Sequence, residues 1–281
     1  MKLVADSGST KTDWCIIGLG GEAKRFRGSG MNPFQMEADE IESVIRNEVV
    51  PEVGDVGRVS SINFYGSGCR DEMRTVMADI FSKVFPCAQD VEAESDLLAA
   101  ARALFGNDKG IACILGTGSN SGLYDGNKIV RNIPPLGYVL GDEGSGAVLG
   151  RMFVNALFKK RLGSNIKDDF VKETGLTLQS VITKVYRSPQ ANKFLAGLSP
   201  FIHSHLQDPD VKRIVVENFR DFFRLNLNAY GCSSLAVRAV GSVAYLYSEQ
   251  LSVAAALEGY HVCSVMRKPI EGLIAYHSEG W

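Results

Sequence analysis

The sequence predicts an α/β protein built from two related domains. The apolar runs KLVADSG and TDWCIIG are joined by a turn of small residues and followed by a third run in GEAKRFRG, which is the pattern of a three-stranded meander. The stretch IACILGTGSNSGLYDGNKIVRNI repeats this pattern later in the chain. Helical spacing alternates with strands around both meanders, and 281 residues suit two modest domains.

Composition excludes several classes of function. Hydrophobic residues make up 45% of the chain and charged residues 22%, which is ordinary for a globular protein. Thirty Lys and Arg against 32 Asp and Glu give a net charge of -2, without a basic block that would bind nucleic acid. The six cysteines lack CxxC spacing, and no apolar run approaches the ~20 residues of a membrane span. We therefore expect a cytoplasmic protein with reduced thiols, without nucleic-acid or membrane partners.

Local signals predict the elements that follow the first meander. The apolar spacing is helical from Gln35 to Val50, and Pro51 is expected to end this helix. A buried strand (VSSINFYG), a helix from Asp71 to Phe85 and an exposed strand (AQDVEAES) come next. Ser95 is a candidate N-cap for the helix DLLAAARALFG, and Gly106 is its expected stop.

The second half begins with the repeated meander. The sequence aligns the turn Gly8-Ser9-Thr10 with Gly118-Ser119-Asn120, and a glycine-rich loop (GDEGSG) then enters a helix. The remainder is predicted to be mostly helical, apart from a buried strand in LAVRAVGSVAYLY and a helical tail after Pro269. We expect a first domain at 1–108, completed by 270–281, and a second at 109–269 with a helical insertion.

Two small-residue turns suggest an anion site. Backbone N–H groups and hydroxyls in DSGSTKTD can surround phosphate oxygens, although this turn leads into a strand and is not a P-loop. A hairpin turn with local hydrogen bonds explains one such turn equally well, whereas a second turn in GTGSNSG favours a nucleotide. Asp6 beside the first turn suits a divalent cation.

Other polar residues stand in glycine-rich turns. Asn32 can both donate and accept hydrogen bonds, as recognition of a polyol requires, and Asp142 is the stronger of two adjacent acids. FYGSGCR has a similarly open backbone after a strand. Asp96 by itself is most simply an acid that complements a helix dipole.

Six stretches in this order, DSGSTKT, GMNPF, SD at 95–96, LGTGSN, GDEGS and VGSV, resemble the N-acetylglucosamine kinases and the related activator-type ATPases of the sugar kinase, heat-shock and actin superfamily. The resemblance spans nearly the whole chain, and GTGSN followed by GDEGS is its most specific part. It implies two ribonuclease H-like (actin-like ATPase) domains, with ATP and sugar in an interdomain cleft.

The resemblance also implies a role for each candidate residue. Asp96 becomes the catalytic base that accepts the proton of the attacking sugar hydroxyl, while Mg²⁺ and loop amides offset charge on the transferred phosphoryl group. The expected metal ligand is Asp6. The expected sugar contacts are Asn32, Gly66, Ser67, Asp96, Ser119, Asn120, Gly137 and Asp142. The expected ATP contacts are Ser7, Gly8, Ser9, Thr10, Lys11, Gly116, Thr117, Gly118, Gly197, Gly241 and Ser242.

These roles predict an ATP-dependent amino sugar kinase, with N-acetylglucosamine converted to its 6-phosphate, in a homodimer. Glucosamine and N-acetylmuramic acid stay open as substrates, because they differ only in substituents that pocket walls must distinguish. One alternative is an ATPase that activates an acyl-CoA dehydratase or reductase through an iron–sulfur cluster shared by a dimer. The other is a sugar or nucleotide sensor without catalysis.

Overall fold

The computed structural model describes residues 1–8, 10–18 and 20–278. The chain forms two compact units, each with its own five-stranded sheet. Unit 1 contains Met1–Asn107, Gly126–Lys128 and the chain from Pro269 onward. Unit 2 contains Asp108–Asp125 and Ile129–Lys268.

The sheet of unit 1 has the strand order β3-β2-β1-β4-β5. Its strands are β1 (Lys2–Ser7), β2 (Lys11–Ile17), β3 (Ala23–Ser29), β4 (Ser61–Gly66) and β5 (Asp90–Ser95). The first three form the predicted antiparallel meander, and β4 and β5 run parallel to β1. The register aligns Ser7, Gly66 and Ser95, so the loops after β1, β4 and β5 leave the same edge of the sheet.

Helices cover both faces of this sheet. They are α1 (Ala38–Val44), α2 (Val50–Val53), α3 (Glu72–Val84), α4 (Asp96–Phe105) and α14 (Pro269–Ser278). Because side chains alternate along a strand, Leu3 and Ala5 pack into one core, whereas Val4 packs into the other. In this second core α14 lies so close to α4 that a Cβ at Gly272 would be 2.2 Å from the Ala103 carbonyl oxygen.

The sheet of unit 2 repeats the topology of unit 1, with the order β10-β9-β6-β7-β8. Its strands are β6 (Gly110–Leu115), β7 (Ser119–Tyr124), β8 (Ile129–Ile133), β9 (Val237–Val240) and β10 (Val262–Met266). The first three form the second predicted meander, and β9 pairs in parallel with β6 and β10. The sequence did not predict β10, because this edge strand is only partly buried and shows no apolar alternation.

The predicted helical character of the rest of unit 2 is confirmed. Its helices are α5 (Gly137–Leu140), α6 (Gly146–Phe158), α7 (Ser164–Thr174), α8 (Leu178–Tyr186), α9 (Ala191–Ala196), α10 (Ser199–Ser204), α11 (Pro209–Phe222), α12 (Ser242–Leu246) and α13 (Ser248–Leu257). A π-turn at Phe223–Leu227 extends α11. Aromatic side chains such as Phe153, Phe219 and Tyr247 fill the core that these helices form with the sheet.

The first helix differs from its predicted bounds. It begins at Ala38, and it continues past Pro51 to Val53 through a π-turn at Ile45–Val49. Proline is tolerated in the first turn of a helix, where its missing N–H needs no partner. The π-turn restarts the helical ladder immediately before Pro51, so the proline behaves as if it stood at a helix start.

The predicted alignment of the two turns is also wrong. The Gly8 N–H donates to the Lys11 carbonyl in the first hairpin (β1–β2), and the Gly116 N–H donates to the Gly118 carbonyl in the second (β6–β7). The pairs Ser7–Thr12 and Leu115–Ser119 close these loops. Gly8 therefore corresponds to Gly116 rather than to Gly118, because strand pairing and not residue similarity sets the register.

Among the described residues, none of the helices combines the length and the apolar character needed to traverse a bilayer.

Candidate active site

The candidate residues of unit 1 meet where β1, β4 and β5 end. Ser67 follows β4, and its N–H donates to the Ser7 carbonyl at the end of β1 over 3.0 Å. The Ser67 hydroxyl donates to Oδ2 of Asp96, which follows β5, over 2.8 Å. In open parallel arrangements, ligands bind beyond the carboxyl ends of the strands. The alignment of Ser7, Gly66 and Ser95 thus brings the predicted base beside the first hairpin.

Asp96 occupies the first position of α4, and the reasons are local. The Ser95 hydroxyl accepts the Leu98 N–H as the helix cap, as predicted, and Gly106 ends the helix. The Asp96 side chain is half-buried and is held by the Ser67 hydroxyl. Its carboxylate can therefore complement the helix dipole and also accept a proton from a bound alcohol.

Inside the first hairpin, two hydroxyls are structural. The Ser7 and Thr12 hydroxyls lie 2.8 Å apart, and both side chains are buried. Ser7 also bonds the backbone of Met31, and Thr12 donates to the Ser29 carbonyl. Because these partners occupy the Ser7 hydroxyl, it is not among the proposed phosphate contacts. Ser9 lies outside the described residues.

The outer part of this hairpin presents backbone and polar side chains. Thr10 and Lys11 are exposed, and Gly30, which follows β3, packs directly against the hairpin turn. A Cβ at Gly30 would lie 2.4 Å from the Gly8 oxygen and 2.5 Å from the Thr10 nitrogen. Only glycine allows this close approach. The turn is therefore surrounded by backbone without bulky side chains, as an anion site requires.

Asn32 has a more structural place than the sequence predicts. Its side chain is buried, and its Oδ1 accepts the Phe34 N–H over 3.0 Å, as in a turn asparagine. The same oxygen packs against Gly68, where a Cβ would lie 2.1 Å away. Asn32 is thereby placed beside the loop that carries Ser67, and its role in sugar binding stays a prediction.

The next question is whether the side chains around Asp6 suit a bound Mg²⁺ ion. The described residues contain no group of three or more His, Cys, Asp or Glu side chains arranged to hold an ion. Mg²⁺ in nucleotide enzymes uses one or two carboxylates, phosphate oxygens and water rather than a protein cage. One carboxylate at the end of β1 fits an ion that arrives with a nucleotide.

In unit 2, the second hairpin is tied to the start of α6. The N–H groups of Gly146 and Ala147 donate to the carbonyls of Gly116 and Thr117, over 2.8 and 3.1 Å. Ser145 caps the helix by accepting the Val148 N–H. Thr117 is exposed at the tip of the hairpin, where a phosphate could reach it.

Asp142 joins several of the predicted sugar contacts. Its carboxylate accepts the backbone N–H groups of Ser119 and Gly137, and it lies against Gly118. The pKa of Asp142 is raised to about 6, chiefly by burial and also by the neighbouring Glu143, although the two backbone donors act to lower it. The backbone is left-handed at Asp142, with a φ of 55°, so surrounding contacts must hold this conformation.

Asn120 is oriented by a residue that the sequence analysis did not identify. Its Oδ1 accepts both the Ser121 N–H and the amide of Asn132 on β8, over 2.9 and 2.8 Å. With the oxygen occupied twice, the side-chain amide of Asn120 is the group left to donate to a ligand. The apolar and polar residues of β8 predict a strand, but nothing in their pattern indicates that Asn132 orients Asn120.

The predicted adenosine contacts lie close together in unit 2. Gly241 follows β9 with a φ of 130°, and a Cβ there would be 2.2 Å from the Leu115 oxygen. A Cβ at Gly146 would be 3.1 Å from both Ala196 and Val243, which are the neighbours of Gly197 and Ser242. Gly197 and Ser242 are both exposed. The segment that carries Gly197 and the segment that carries Gly241 and Ser242 thus both pack against the start of α6.

Three of the six cysteines have the character of structural thiols, whereas Cys87 and Cys263 are exposed. All six are free, and Cys15, Cys69 and Cys113 are buried. Burial raises the pKa of Cys69 to about 11, so its thiol stays protonated near neutral pH. A buried thiol cannot join a cluster shared with a second chain.

Comparison with solved structures defines the class of protein. The two five-stranded sheets and their helices are the actin-like ATPase fold of sugar kinases and actin homologues. The proposed N-acetylglucosamine kinase of Porphyromonas gingivalis is 46% identical, with a TM-score of 0.94 and 99% of each chain covered. The protein belongs to this N-acetylglucosamine kinase family, in the sugar kinase and actin-like superfamily.

More distant structures share the fold alone. A proposed N-acetylglucosamine kinase from Chromobacterium violaceum is 19% identical, with a TM-score of 0.75 and 98% of each chain covered. A proposed N-acetylmannosamine kinase from Listeria monocytogenes is 11% identical, with a TM-score of 0.52 and 99% of each chain covered. No protein-family model matches the chain, and no curated protein does.

Proposed function

We propose that the protein is an ATP-dependent kinase that transfers the γ-phosphoryl group of ATP to a hydroxyl of an amino sugar, with N-acetylglucosamine as the preferred acceptor. The observation that carries the proposal is the carboxylate of Asp96, held by the Ser67 hydroxyl at the edge of the sheet where the first hairpin also ends. Family membership supports the same activity, because the relative at 46% identity is itself a proposed N-acetylglucosamine kinase.

Asp96 is the proposed general base. Ser67 occupies Oδ2 of the carboxylate, so Oδ1 is the oxygen proposed to accept the proton of the attacking hydroxyl. Phosphoryl transfer depends mostly on positioning and on stabilising charge, so a fixed carboxylate contributes both by orienting the acceptor and by accepting its proton. Asp142, Asn120 and Asn32 are the side chains proposed to bind the other sugar hydroxyls.

The phosphates are proposed to bind the backbone and side chains of the two hairpins. Gly8, Thr10 and Lys11 serve in unit 1, and Gly116, Thr117 and Gly118 serve in unit 2. Gly197, Gly241 and Ser242 are proposed to border adenosine. Asp6 would hold Mg²⁺ that arrives with ATP, and the ion when bound would neutralise charge on the phosphates.

A coupled assay of ADP release tests the proposal. We expect ADP to form with N-acetylglucosamine, and the same assay with glucosamine, N-acetylmannosamine, N-acetylmuramic acid and glucose ranks the acceptors. Asp96→Asn keeps the shape of the side chain but removes the base, so the rate should fall at least about 100-fold while the sugar still binds.

Glu92→Gln is a matched control, because Glu92 is a carboxylate on β5, the strand before Asp96, and it pairs with Arg102 rather than with Ser67. It should keep nearly full activity. Unchanged turnover in Asp96→Asn would remove Asp96 from the mechanism, and ADP release that no sugar stimulates would reject the kinase.

A further inference from the structure

The loop of residues 142–145, called here the acid loop, is held from behind by two asparagines. Asn218 on α11 is fully buried, and its amide spans the loop: Oδ1 accepts the Gly144 N–H over 3.1 Å, and Nδ2 donates to the Ser145 carbonyl over 3.2 Å. Asn226 lies in the π-turn after α11, and its Nδ2 donates to Oε2 of Glu143 over 3.2 Å.

The π-turn explains how both side chains reach the same loop. A regular α-helix turns by about 100° per residue, so side chains eight positions apart point about 80° away from each other. The π-turn closes with a bond from the Asn228 N–H to the Phe223 carbonyl, and so contains one residue more than an α-helical turn. The extra residue reduces the separation of Asn218 and Asn226 to about 20°, and both then face the acid loop.

The acid loop needs such support because its backbone is strained. Asp142 has a φ of 55° and Gly144 a φ of 80°. A left-handed residue other than glycine persists only where its surroundings determine it. The loop also concentrates negative charge: burial is the main cause that raises the pKa of Asp142 and of Asp221, and the charge of Glu143 adds to it in both. A neutral amide donor at Glu143 relieves this repulsion without adding a charge.

We infer that Asn218 and Asn226 are positioning residues that hold the acid loop in the shape that presents Asp142 to the sugar. This inference rests on the proposed function. The two residues differ in what else they hold. Among the described residues, the Asn226 side chain hydrogen-bonds the Glu143 carboxylate alone, whereas Asn218 bonds Ser145, which caps α6 beside the second hairpin. Loss of Asn226 should weaken sugar binding alone, and loss of Asn218 should weaken both sugar and ATP.

Steady-state kinetics with N-acetylglucosamine and ATP test the inference. We expect Asn226→Ala to raise the sugar KM at least about fivefold, the effect of one lost hydrogen bond, with the ATP KM unchanged. Asn226→Gln, which keeps the donor, should recover part of the loss. Asn218→Ala should raise both KM values. Asn155→Ala is the matched control. The side chain of this exposed asparagine on α6 accepts a hydrogen bond from Arg161 rather than from the acid loop, so the substitution should change neither KM value.

Hydrogen exchange separates the two ways of failing. Backbone amides of Gly144 and Ser145 should exchange faster in Asn218→Ala and Asn226→Ala than in the wild type. If the wild type transfers phosphate to no sugar, the proposed function fails, and unchanged exchange would then overturn the positioning role as well. If the wild type is active but Asn226→Ala has a normal sugar KM, only the inference is overturned. Should Asn218→Ala not fold, Asn226→Ala decides the matter alone.

Discussion

At the scale of single residues, the Ser67 hydroxyl has two possible roles: it can bind the sugar, or it can orient the Asp96 carboxylate. The sequence predicts Ser67 as a sugar contact, whereas in the structure its hydroxyl donates to the Asp96 carboxylate. A residue that orients the base affects turnover, and a residue that binds the sugar affects the KM. The two roles therefore predict different kinetic changes in the same variant.

We expect Ser67→Ala to lower kcat about tenfold, because a charge-assisted hydrogen bond is lost, and to leave the sugar KM within about threefold of the wild type. Ser67→Thr keeps the hydroxyl and should retain most of the activity. Initial rates over a range of sugar concentrations give both constants. A large rise in KM at normal kcat would return Ser67 to the sugar contacts.

The ionisation of Asp142 gives a prediction about pH. Burial raises its pKa to about 6, so the carboxylate is mostly protonated at pH 5 and mostly ionised at pH 7.5. If the ionised form accepts sugar hydroxyls, the KM for N-acetylglucosamine should fall roughly tenfold as pH rises between these values. The ATP KM should not follow this course.

Asp142→Asn removes the titration, so its sugar KM should be high and independent of pH over the same range. Initial rates at pH 5, 6, 7 and 7.5 provide the comparison. A variant that keeps the wild-type profile would assign the titration to another group.

At the scale of elements, the end of β9 depends on one glycine. Gly241 combines a φ of 130° with a contact in which a Cβ would lie 2.2 Å from the Leu115 oxygen. Gly259 also has a positive φ, of 80°, but a Cβ there would meet no atom within 4 Å. The two positions therefore separate backbone strain from steric conflict.

Gly241→Ala should lower the free energy of unfolding by at least about 2 kcal/mol and raise the ATP KM, since both strain and overlap act beside the proposed adenosine contacts. Gly259→Ala should cost about 1 kcal/mol, the strain alone, and leave the ATP KM unchanged. Urea unfolding and ATP kinetics on both variants supply the test. Equal losses of stability would mean that the contact with Leu115 relaxes freely.

How far an element could be predicted depends on where its signals lie. The bounds of α4 follow from Ser95 and Gly106, because caps act on the neighbouring turn. Pro51 misleads, because the π-turn before it restarts the helix. The strand β10 was missed, because an edge strand buries too little to show alternation.

At the scale of the whole molecule, β1 and α14, the first and last described elements of the chain, meet in unit 1. The Lys2 ammonium donates to the His277 carbonyl, and the Tyr65 hydroxyl and Nε2 of His277 share a hydrogen bond of 2.8 Å. Arg102 donates to the same tyrosine oxygen and pairs with Glu92. The pKa of His277 is lowered to about 3, chiefly by burial and also by the charges of Lys2 and Arg102.

Folding should therefore lose stability in acid. Unfolded His277 has a pKa near 6.5, so the unfolded state binds the extra proton once pH falls below that value, while the folded state stays neutral down to about pH 3. The contribution is complete above about pH 6.5 and declines toward pH 3. Between pH 7 and pH 5, the stability lost in this way is roughly 2 kcal/mol.

We expect the stability advantage of the wild type over His277→Gln to shrink by about that amount from pH 7 to pH 5, measured by urea unfolding. His261→Gln, at an exposed histidine, should parallel the wild type. A constant gap between the wild type and His277→Gln would show that His277 is not neutral in the folded state.

The sequence by itself determined the repeated meander, the caps of α4 and the small-residue hairpins, because these depend on residues near one another in the chain. It also carried the family resemblance, which the 46% identical structure supports. Only the tertiary structure decided that Gly8 corresponds to Gly116, that Ser67 holds Asp96, and that Asn218 and Asn226 hold the acid loop. These relations depend on strand register and helix packing, which join residues far apart in sequence and leave no local signal.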